Sequence, residues 1–218
     1  MKVPATPHAA AYHRVLQRYT IDALSDYLSG LLATRLIDMR ISKPRTSKLG
    51  DYRMGHKNRH PAISLNADLN TYAFAIVLLH EIAHHDSFTH HGRHIKPHGK
   101  EWQSAYRTLS GPLLVRSIFP PDLQRAFIKY LNQPSASSCT DHNLLRAMRA
   151  YDPVEGDASH AAAHLVTLDE LPVQARFRWR DGRSFVKIKK IRTRIRCYEI
   201  HSKGIYLFHA MAQVQPET

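Results

Sequence analysis

The chain has 218 residues, which suits one medium domain or a domain with an appendage. Apolar residues make up 43% of it, enough for a core, and no apolar run reaches the roughly 18 residues of a membrane-spanning helix. The first residues lack an apolar run of signal-peptide length, and the two cysteines form no CxxC pair, which excludes a disulfide scaffold and a Cys-rich zinc ribbon. We therefore expect a cytoplasmic protein, and the formal charge of +13 suggests a polyanionic partner, most simply nucleic acid.

Apolar periodicity predicts a mixture of helices and short strands before residue 150, an α+β chain. Pro7 suits the first position of a helix that is interrupted near Thr20. The predicted helices cover residues 7–33, 70–86, 99–110, 121–131 and 141–150, and the predicted strands cover residues 35–41, 49–54 and 62–65. Residues 86–98 are rich in histidine and are expected to form a loop.

The pattern changes after residue 150. Residues 151–166 mix Gly, Pro, Ser and Ala without a clear period, which indicates a linker. Beyond them the period is two, the Asp181-Gly182 pair signals a hairpin turn, and three or more strands are expected over residues 175–180, 185–198 and 205–214. The sequence thus predicts a first domain over 1–133, a linker with a short helix over 134–166, and a small basic β-rich module over 167–218.

Residues 80–84 carry the strongest chemical signal, the motif HExxH. Two histidines four positions apart lie on one face of a helix, where one zinc ion can take both imidazoles. Glu81 then lies near the same opening and can accept a proton from a water held by the metal. The preceding residues are apolar and Asn70 can cap the helix, so the motif is predicted to be buried. The alternative is a pair of core histidines satisfied by hydrogen bonds.

A catalytic zinc needs a third protein ligand. The residue pattern leaves several candidates open: His90 has the spacing of HExxHxxGxxH but Ser87 replaces the glycine, Glu101 suits sites with a downstream glutamate, and His98 precedes Gly99, which can let the backbone turn back. His91 and His94 match no defensible spacing. Arg93 and Tyr106 are weak candidates for stabilising an oxyanion.

HEIAH followed by His98-Gly99-Lys100-Glu101-Trp102 resembles the SprT-like, or Spartan-like, zinc metallopeptidase family, and the similarity extends upstream to Leu49-Gly50 and Ile63–Asn66. It covers roughly residues 10 to 131 and is nearest to bacterial SprT-like proteins. The resemblance implies a helical zincin-like core with a small three-stranded sheet, Zn²⁺ on His80, His84 and His98, Glu81 as catalytic base, and a packing role for Trp102. Many relatives carry a C-terminal zinc ribbon with paired cysteines; this chain lacks them, so no second zinc is expected.

The C-terminal module concentrates the positive charge. Residues 176–203 hold eleven Lys and Arg against Asp181 and Glu199, a net +9 of the total +13. The sequence predicts that Lys190, Arg192, Arg194 and Arg196 share one face of a strand opposite Ile191, Ile195 and Cys197. Such a face suits phosphate contacts, although basic residues also protect sheet edges from aggregation. The expected DNA contacts are Arg176, Arg178, Arg180, Lys190, Arg192, Arg194 and Arg196.

Two functions are therefore compatible with the sequence. The first is a zinc metallopeptidase acting on DNA-associated proteins, since Spartan-like proteases couple DNA binding to cleavage of proteins crosslinked to DNA. The second is a nucleic-acid-binding or regulatory protein with a structural or silent zinc site. Glu81 favours the first, because a structural site needs no base, whereas a fourth protein ligand would favour the second.

Overall fold

The computed structural model describes residues 7–45, 48–56, 59–132, 141–153, 165–192, 194–210 and 212–217. The chain divides into two compact units, Met1–Pro153 and Val154–Thr218, called here the first and second units. The predicted domain boundaries stay a prediction, and most of the predicted linker lies outside the described residues. None of the helices in these ranges is long and apolar enough to cross a membrane.

The fold is α+β with a β-rich C-terminal part, as predicted. The helices are α1 (Pro7–Leu16), α2 (Asp22–Arg35), α3 (Thr71–His91), α4 (Lys100–Val115), α5 (Pro121–Asn132) and α6 (His142–Arg149). The strands are β1 (Asp38–Ser42), β2 (Gly50–Arg53), β3 (Ala62–Asn66), β4 (Val166–Thr167), β5 (Arg176–Arg178), β6 (Ser184–Ile191), β7 (Arg194–Glu199), β8 (Ile205–His209) and β9 (Gln213–Glu217).

The predicted interruption of the first helix near Thr20 is confirmed. The Thr20 hydroxyl lies 3.1 Å from the Leu16 carbonyl and 2.8 Å from the Ser25 hydroxyl, so it binds the end of α1 and the start of α2. Side chains that bond the backbone in this way compete with helix continuation. The two helices then pack against each other through buried leucines, including Leu24 and Leu28.

A small three-stranded sheet of order β1-β3-β2 follows, as predicted. β3 is central, parallel to β1 and antiparallel to β2. Ile63 and Leu65 alternate with more exposed residues along β3 and are fully buried, so one face of the sheet packs into the core. β2 consequently forms one edge of this sheet, and α3 packs against both β2 and β3.

Helix α3 is the buried centre of the first unit. The Asn70 side chain accepts hydrogen bonds from the backbone N–H groups of Tyr72 and Ala73 at 3.1 and 3.0 Å, which caps the helix as predicted. The predicted loop over 86–98 is wrong at its start, because α3 continues to His91. Asp86 explains part of the extension: its carboxylate forms two hydrogen bonds, of 2.6 and 2.7 Å, with Arg35, which attaches this last part of α3 to α2.

The second unit is a six-stranded sheet of order β4-β9-β5-β6-β7-β8. The predicted third strand over 205–214 is two strands, β8 and β9, and β9 inserts between β4 and β5. Alternation along the strands places one set of side chains in a compact core. Its buried members are Leu168, Phe177, Phe185, Ile195, Cys197, Ala210 and Val214.

The basic run does not lie on one strand. β6 ends at Ile191, Arg192 adopts a left-handed conformation with φ of +52°, and β7 begins at Arg194. Ile191 pairs with Arg194 and Lys190 pairs with Ile195, so the turn moves Lys190 to the opposite face from Arg194. The prediction that Lys190, Arg192, Arg194 and Arg196 share one face of a strand is therefore wrong, whereas the expectation of one or two strands over residues 185–198 resolves into two, β6 and β7. The sequence hides the turn because charged and apolar residues continue to alternate through it.

Lys187 is a buried charged residue on the core face of this sheet. Its ammonium group donates hydrogen bonds to the carbonyl oxygens of Leu168, Asp169 and Leu171 at 3.0, 3.1 and 2.5 Å. Burial lowers the pKa of this group. The three N–H donors of the ammonium therefore meet three backbone acceptors, which attaches the segment after β4 to β6.

Candidate metal centre

Three histidine side chains converge in the first unit. The Nε2 atoms of His80 and His84 are 3.2 Å apart, and each lies 3.1 Å from Nε2 of His98. His80 and His84 come from successive turns of α3, whereas His98 comes from the segment just before α4. In the part of the chain that the structure describes, these three histidines form the one group of at least three His, Cys, Asp or Glu residues whose ligand atoms are close enough together to hold a metal ion.

The segment before α4 brings the third histidine to the helix. His98 has a left-handed φ of +59°, and Gln103 donates to its backbone carbonyl at 3.1 Å. Gly99 has φ of −70°, so its role is not the conformational freedom expected from the sequence. A Cβ at Gly99 would lie 2.8 Å from the Lys96 carbonyl oxygen, and the residue is glycine because the chain approaches itself closely there.

The donor set fits zinc. A tetrahedral zinc with bonds of about 2.0–2.1 Å to imidazole nitrogens separates those nitrogens by about 3.3–3.4 Å, close to the spacing found here. Burial lowers the pKa of all three imidazoles, to about 4 for His84 and well below the ordinary value for His80. The rings are therefore neutral at physiological pH, which is the form that binds metals.

Glu81 lies beside this triad and is 7% exposed. Burial, followed by the negative charge of Asp51, raises the pKa of its carboxyl group to about 8, while a hydrogen bond from the Tyr52 backbone opposes the shift. The carboxylate packs directly against Gly50 of β2: a Cβ there would lie 2.6 Å from Oε1 of Glu81 and 2.8 Å from Val77. Any side chain at position 50 would therefore displace the carboxylate.

Comparison with protein families identifies the domain. The SprT-like family model matches residues 13–118, which include β2, α3 and all three histidines. This part of the chain belongs to the SprT-like family. Family membership indicates a metallopeptidase-like domain, and the histidine triad can hold a metal ion. No curated protein and no solved structure matches the chain.

Trp102 and Tyr106 pack against the part of α3 that carries the histidines of the SprT-like domain. The fully buried Trp102 ring lies 4.6 Å from the His80 ring and 4.7 Å from the His98 ring, centroid to centroid. Its Nε1 donates to the His80 carbonyl at 3.3 Å, and the Tyr106 hydroxyl donates to the Ile76 carbonyl at 3.1 Å. Both residues pack against α3, so Tyr106 is not placed to stabilise an oxyanion.

The other candidate ligands lie away from the triad. His90, His91 and Glu101 line a separate surface cavity of about 230 Å³, and His90 Nδ1 contacts the Asp86 carbonyl at 2.7 Å. His94 and Arg93 are exposed. The structure therefore brings His98 to the motif histidines and does not bring any of the four alternatives.

Sequence reasoning missed the residues that shape the approach to Glu81. Arg45 donates to the Asn66 side chain at 2.8 Å and to the Ser64 hydroxyl at 3.1 Å. Asn66, which is 1% exposed, donates in return to the carbonyls of Arg45 and Lys48 at 2.9 and 3.2 Å. These contacts attach the segment before β2 to β3 and so fix Gly50 against Glu81. Asn66 occurs in the matched Ile63–Asn66 stretch, but its spacing gives no sign of these partners.

Proposed function

We propose that the chain is a zinc-dependent endopeptidase in which His80, His84 and His98 hold Zn²⁺ and Glu81 is the general base. The observation that supports this most strongly is the trio of neutral imidazole nitrogens 3.1–3.2 Å apart beside a buried carboxyl group. Three protein ligands leave a tetrahedral zinc one open position, as catalytic sites require.

Bound zinc would lower the pKa of a coordinated water and polarise a peptide carbonyl. Glu81 takes a proton from the attacking water and then delivers it to the leaving amine. A carboxyl group with a pKa of about 8 is largely protonated in the metal-free protein at neutral pH, and a nearby divalent cation favours its charged form. The fully buried Trp102 ring packs against the His80 and His98 rings and holds them in position.

The edge strand β2 is the proposed binding place for the substrate backbone. The Asn66 N–H donates to the Leu49 carbonyl, and the antiparallel register then directs the backbone groups of Asp51 and Arg53 toward β3. The N–H and C=O groups of Gly50 and the C=O of Tyr52 point away from the sheet, whereas the Tyr52 N–H donates to the Glu81 carboxylate. An extended peptide that pairs with this edge would place a peptide bond at the carboxylate.

We propose that the substrates are proteins bound or crosslinked to DNA, with the second unit supplying the DNA contacts. The support is the resemblance to Spartan-like proteases together with the net +9 charge of residues 176–203. Within the proposed set of contacts, Arg178 pairs with Glu217 at 2.9 Å and Lys190 pairs with Asp169 at 2.8 Å. Arg176, Arg180, Arg192, Arg194 and Arg196 are exposed and form no ion pair among the described residues, so they are the stronger candidates for phosphate contacts.

The proposal is tested by measuring zinc content and DNA-dependent proteolysis in wild type, Glu81→Gln and His98→Ala. We expect wild type to bind one zinc and cleave a protein mixed with DNA. Glu81→Gln should keep its zinc and lose cleavage by about 10²-fold or more, and His98→Ala should lose both. A zinc-free wild type, or a Glu81→Gln variant with wild-type cleavage, would contradict the proposal.

A DNA-binding protein with a silent zinc site is the second candidate. The concentration of positive charge favours it as strongly as it favours a protease that binds DNA. Cleavage decides between them: zinc and DNA binding without any proteolysis of DNA-associated proteins would identify the silent site.

A further inference from the structure

One side of the six-stranded sheet combines basic and apolar side chains. Residues paired directly across antiparallel strands project from the same side, so the register identifies the members of each side. We call the side opposite the core the outer face. The register places on it the rows Thr167–Gln213, Gln215–Arg178–Ser184, Glu217–Arg176–Val186–Tyr198–Ile205, Lys189–Arg196–Leu207 and Ile191–Arg194–His209.

Three apolar members of the outer face are unusually exposed, although Val186 at its centre is only 4% exposed. Ile191, Ile205 and Leu207 have 43%, 51% and 54% of their surface accessible, and Tyr198 is partly exposed among them. They are separated by Arg194 and Arg196 on the neighbouring strand, at the strand spacing of about 4.8 Å. Exposed apolar groups cluster at binding sites more often than on inert surfaces, so this pattern indicates a contact surface.

The charge of the outer face limits what can bind there. Among the described residues that the register places on it, Glu217 is the only carboxylate, and it already bonds Arg178 and Ser184, each at 2.9 Å. The exposed Arg176, Lys189, Arg194 and Arg196 therefore present an uncompensated positive field. The ligand must be anionic and must also offer apolar surface at a spacing of a few ångströms.

We propose that the outer face binds single-stranded nucleic acid, with the arginines contacting phosphates and Tyr198, Ile205 and Leu207 contacting unpaired bases. Phosphates alone would gain nothing from the exposed isoleucine and leucine side chains, and a duplex keeps its bases stacked inside. Flat sheets that carry basic and aromatic or apolar groups bind single strands by combining backbone attraction with base stacking. This inference rests on the nucleic-acid part of the proposed function and specifies its ligand.

The test measures binding separately from proteolysis, with the full chain carrying Glu81→Gln to prevent cleavage. Fluorescence anisotropy follows labelled oligothymidylate of about 15 nucleotides, oligouridylate of the same length, and a duplex of that length, over a series of salt concentrations. We expect a single strand to bind at least about tenfold more tightly than the duplex. Binding of either the DNA or the RNA strand supports the proposal, and the tighter of the two identifies the ligand.

Two sets of variants separate the charged from the apolar contacts. Arg194→Glu with Arg196→Glu should lower affinity by about tenfold or more and reduce the salt dependence, since each phosphate contact adds about 0.7 to the slope for single strands. Ile205→Thr with Leu207→Thr should weaken single-strand binding about fivefold and leave the salt slope unchanged. Arg125→Glu, a substitution of the same type at an exposed position on α5, should leave both quantities unchanged.

Circular dichroism confirms that each variant is folded, and Tyr198→Leu provides a further variant that removes the aromatic ring but keeps an apolar side chain. The proposal of a single-stranded ligand would be wrong if the duplex bound as tightly as the single strands, or if the Ile205 and Leu207 variant kept its affinity. Either result would still be compatible with a general electrostatic attraction of the second unit to DNA. Failure of the parent Glu81→Gln chain to bind any of the three probes would contradict both the proposed ligand and a general attraction to DNA. Neither result affects the zinc and cleavage measurements that test the peptidase.

Discussion

The metal centre of the first unit and Lys187 of the second unit are both buried polar arrangements, and they differ in what completes them. The three donors of Lys187 meet three backbone carbonyls, so the protein itself satisfies the charge. The histidine triad instead directs three like nitrogen atoms at a common point, 3.1–3.2 Å from one another. The comparison shows that burial of a polar side chain does not by itself indicate function. A buried donor that meets protein acceptors has a structural role, whereas several buried ligand atoms that converge on one point indicate a bound ion.

Removal of zinc should have the largest effect on stability. A ligand present at about 1,000 times its dissociation constant stabilises the folded state by about 4 kcal/mol, and we expect a chelator to remove that increment from the first unit. Trp102 lies in the first unit and Trp179 in the second, so Trp179→Phe and Trp102→Phe variants report the two units separately by fluorescence. His98→Ala should make the Trp102 transition insensitive to chelator. Equal transitions of wild type with and without chelator would mean that the triad holds no metal.

Lys187→Met tests whether the buried hydrogen bonds of Lys187 stabilise the second unit. The substitution leaves three buried carbonyls without their donor, and we expect the second unit to lose about 3 kcal/mol of unfolding free energy. Chemical denaturation followed by Trp179 measures the loss. Lys189→Met, a neighbouring change at an exposed position, should alter stability by less than about 0.5 kcal/mol. A fully stable Lys187→Met variant would show that these hydrogen bonds do not hold the unit together.

Gly50→Ala addresses the position of the Glu81 carboxylate, the proposed general base. A Cβ there meets Glu81 Oε1 at 2.6 Å, so the side chain must move, and we expect kcat to fall by about tenfold to 100-fold with zinc content retained. Gly111→Ala is the matched control because an added Cβ there would meet no atom within 4 Å apart from its chain neighbours and the backbone of its own helix. That control should keep full activity and gain about 0.5–1 kcal/mol of helix stability. Wild-type kcat in Gly50→Ala would remove the proposed role of β2 in positioning Glu81.

The smallest predicted effect is on the pH dependence of the second unit. Hydrogen bonds from the Ser202 side chain and backbone lower the pKa of Glu199 below its ordinary 4.5. A lowered carboxyl pKa adds stability that is present above about pH 4.5 and is lost as the pH falls through the folded-state value. Thermal unfolding followed by Trp179 should therefore show a steeper acid destabilisation in wild type than in Glu199→Gln. Identical pH profiles would assign the acid sensitivity to other groups.

Much of the first unit could be predicted from local pattern. The interruption near Thr20, the Asn70 cap and the buried helix that carries HExxH all depend on neighbouring residues in the chain, which periodicity and capping chemistry describe. The extension of α3 to His91 could not be predicted in this way. It depends in part on the Arg35–Asp86 ion pair, which joins residues 51 positions apart.

The second unit was harder to predict for the same physical reason. Alternation identified its strands as β structure but not their order, and β9 pairs with β4 and β5 rather than with its neighbour in sequence. The turn at Arg192 escaped detection because charged and apolar residues continue to alternate through it. A slip or turn of one residue changes the face of every following side chain, so the composition of the outer face depends on register.

The sequence by itself determined that His80 and His84 lie together with Glu81 beside them, because the helical repeat places residues four apart on one face. It also determined a basic, β-rich C-terminal region through composition and a period of two. Only the tertiary structure brought His98 rather than His90 to the triad and placed Gly50 behind Glu81. Only the strand register separated Arg194 and Arg196 from Lys190. Those choices depend on how distant segments pack, which local spacing does not encode.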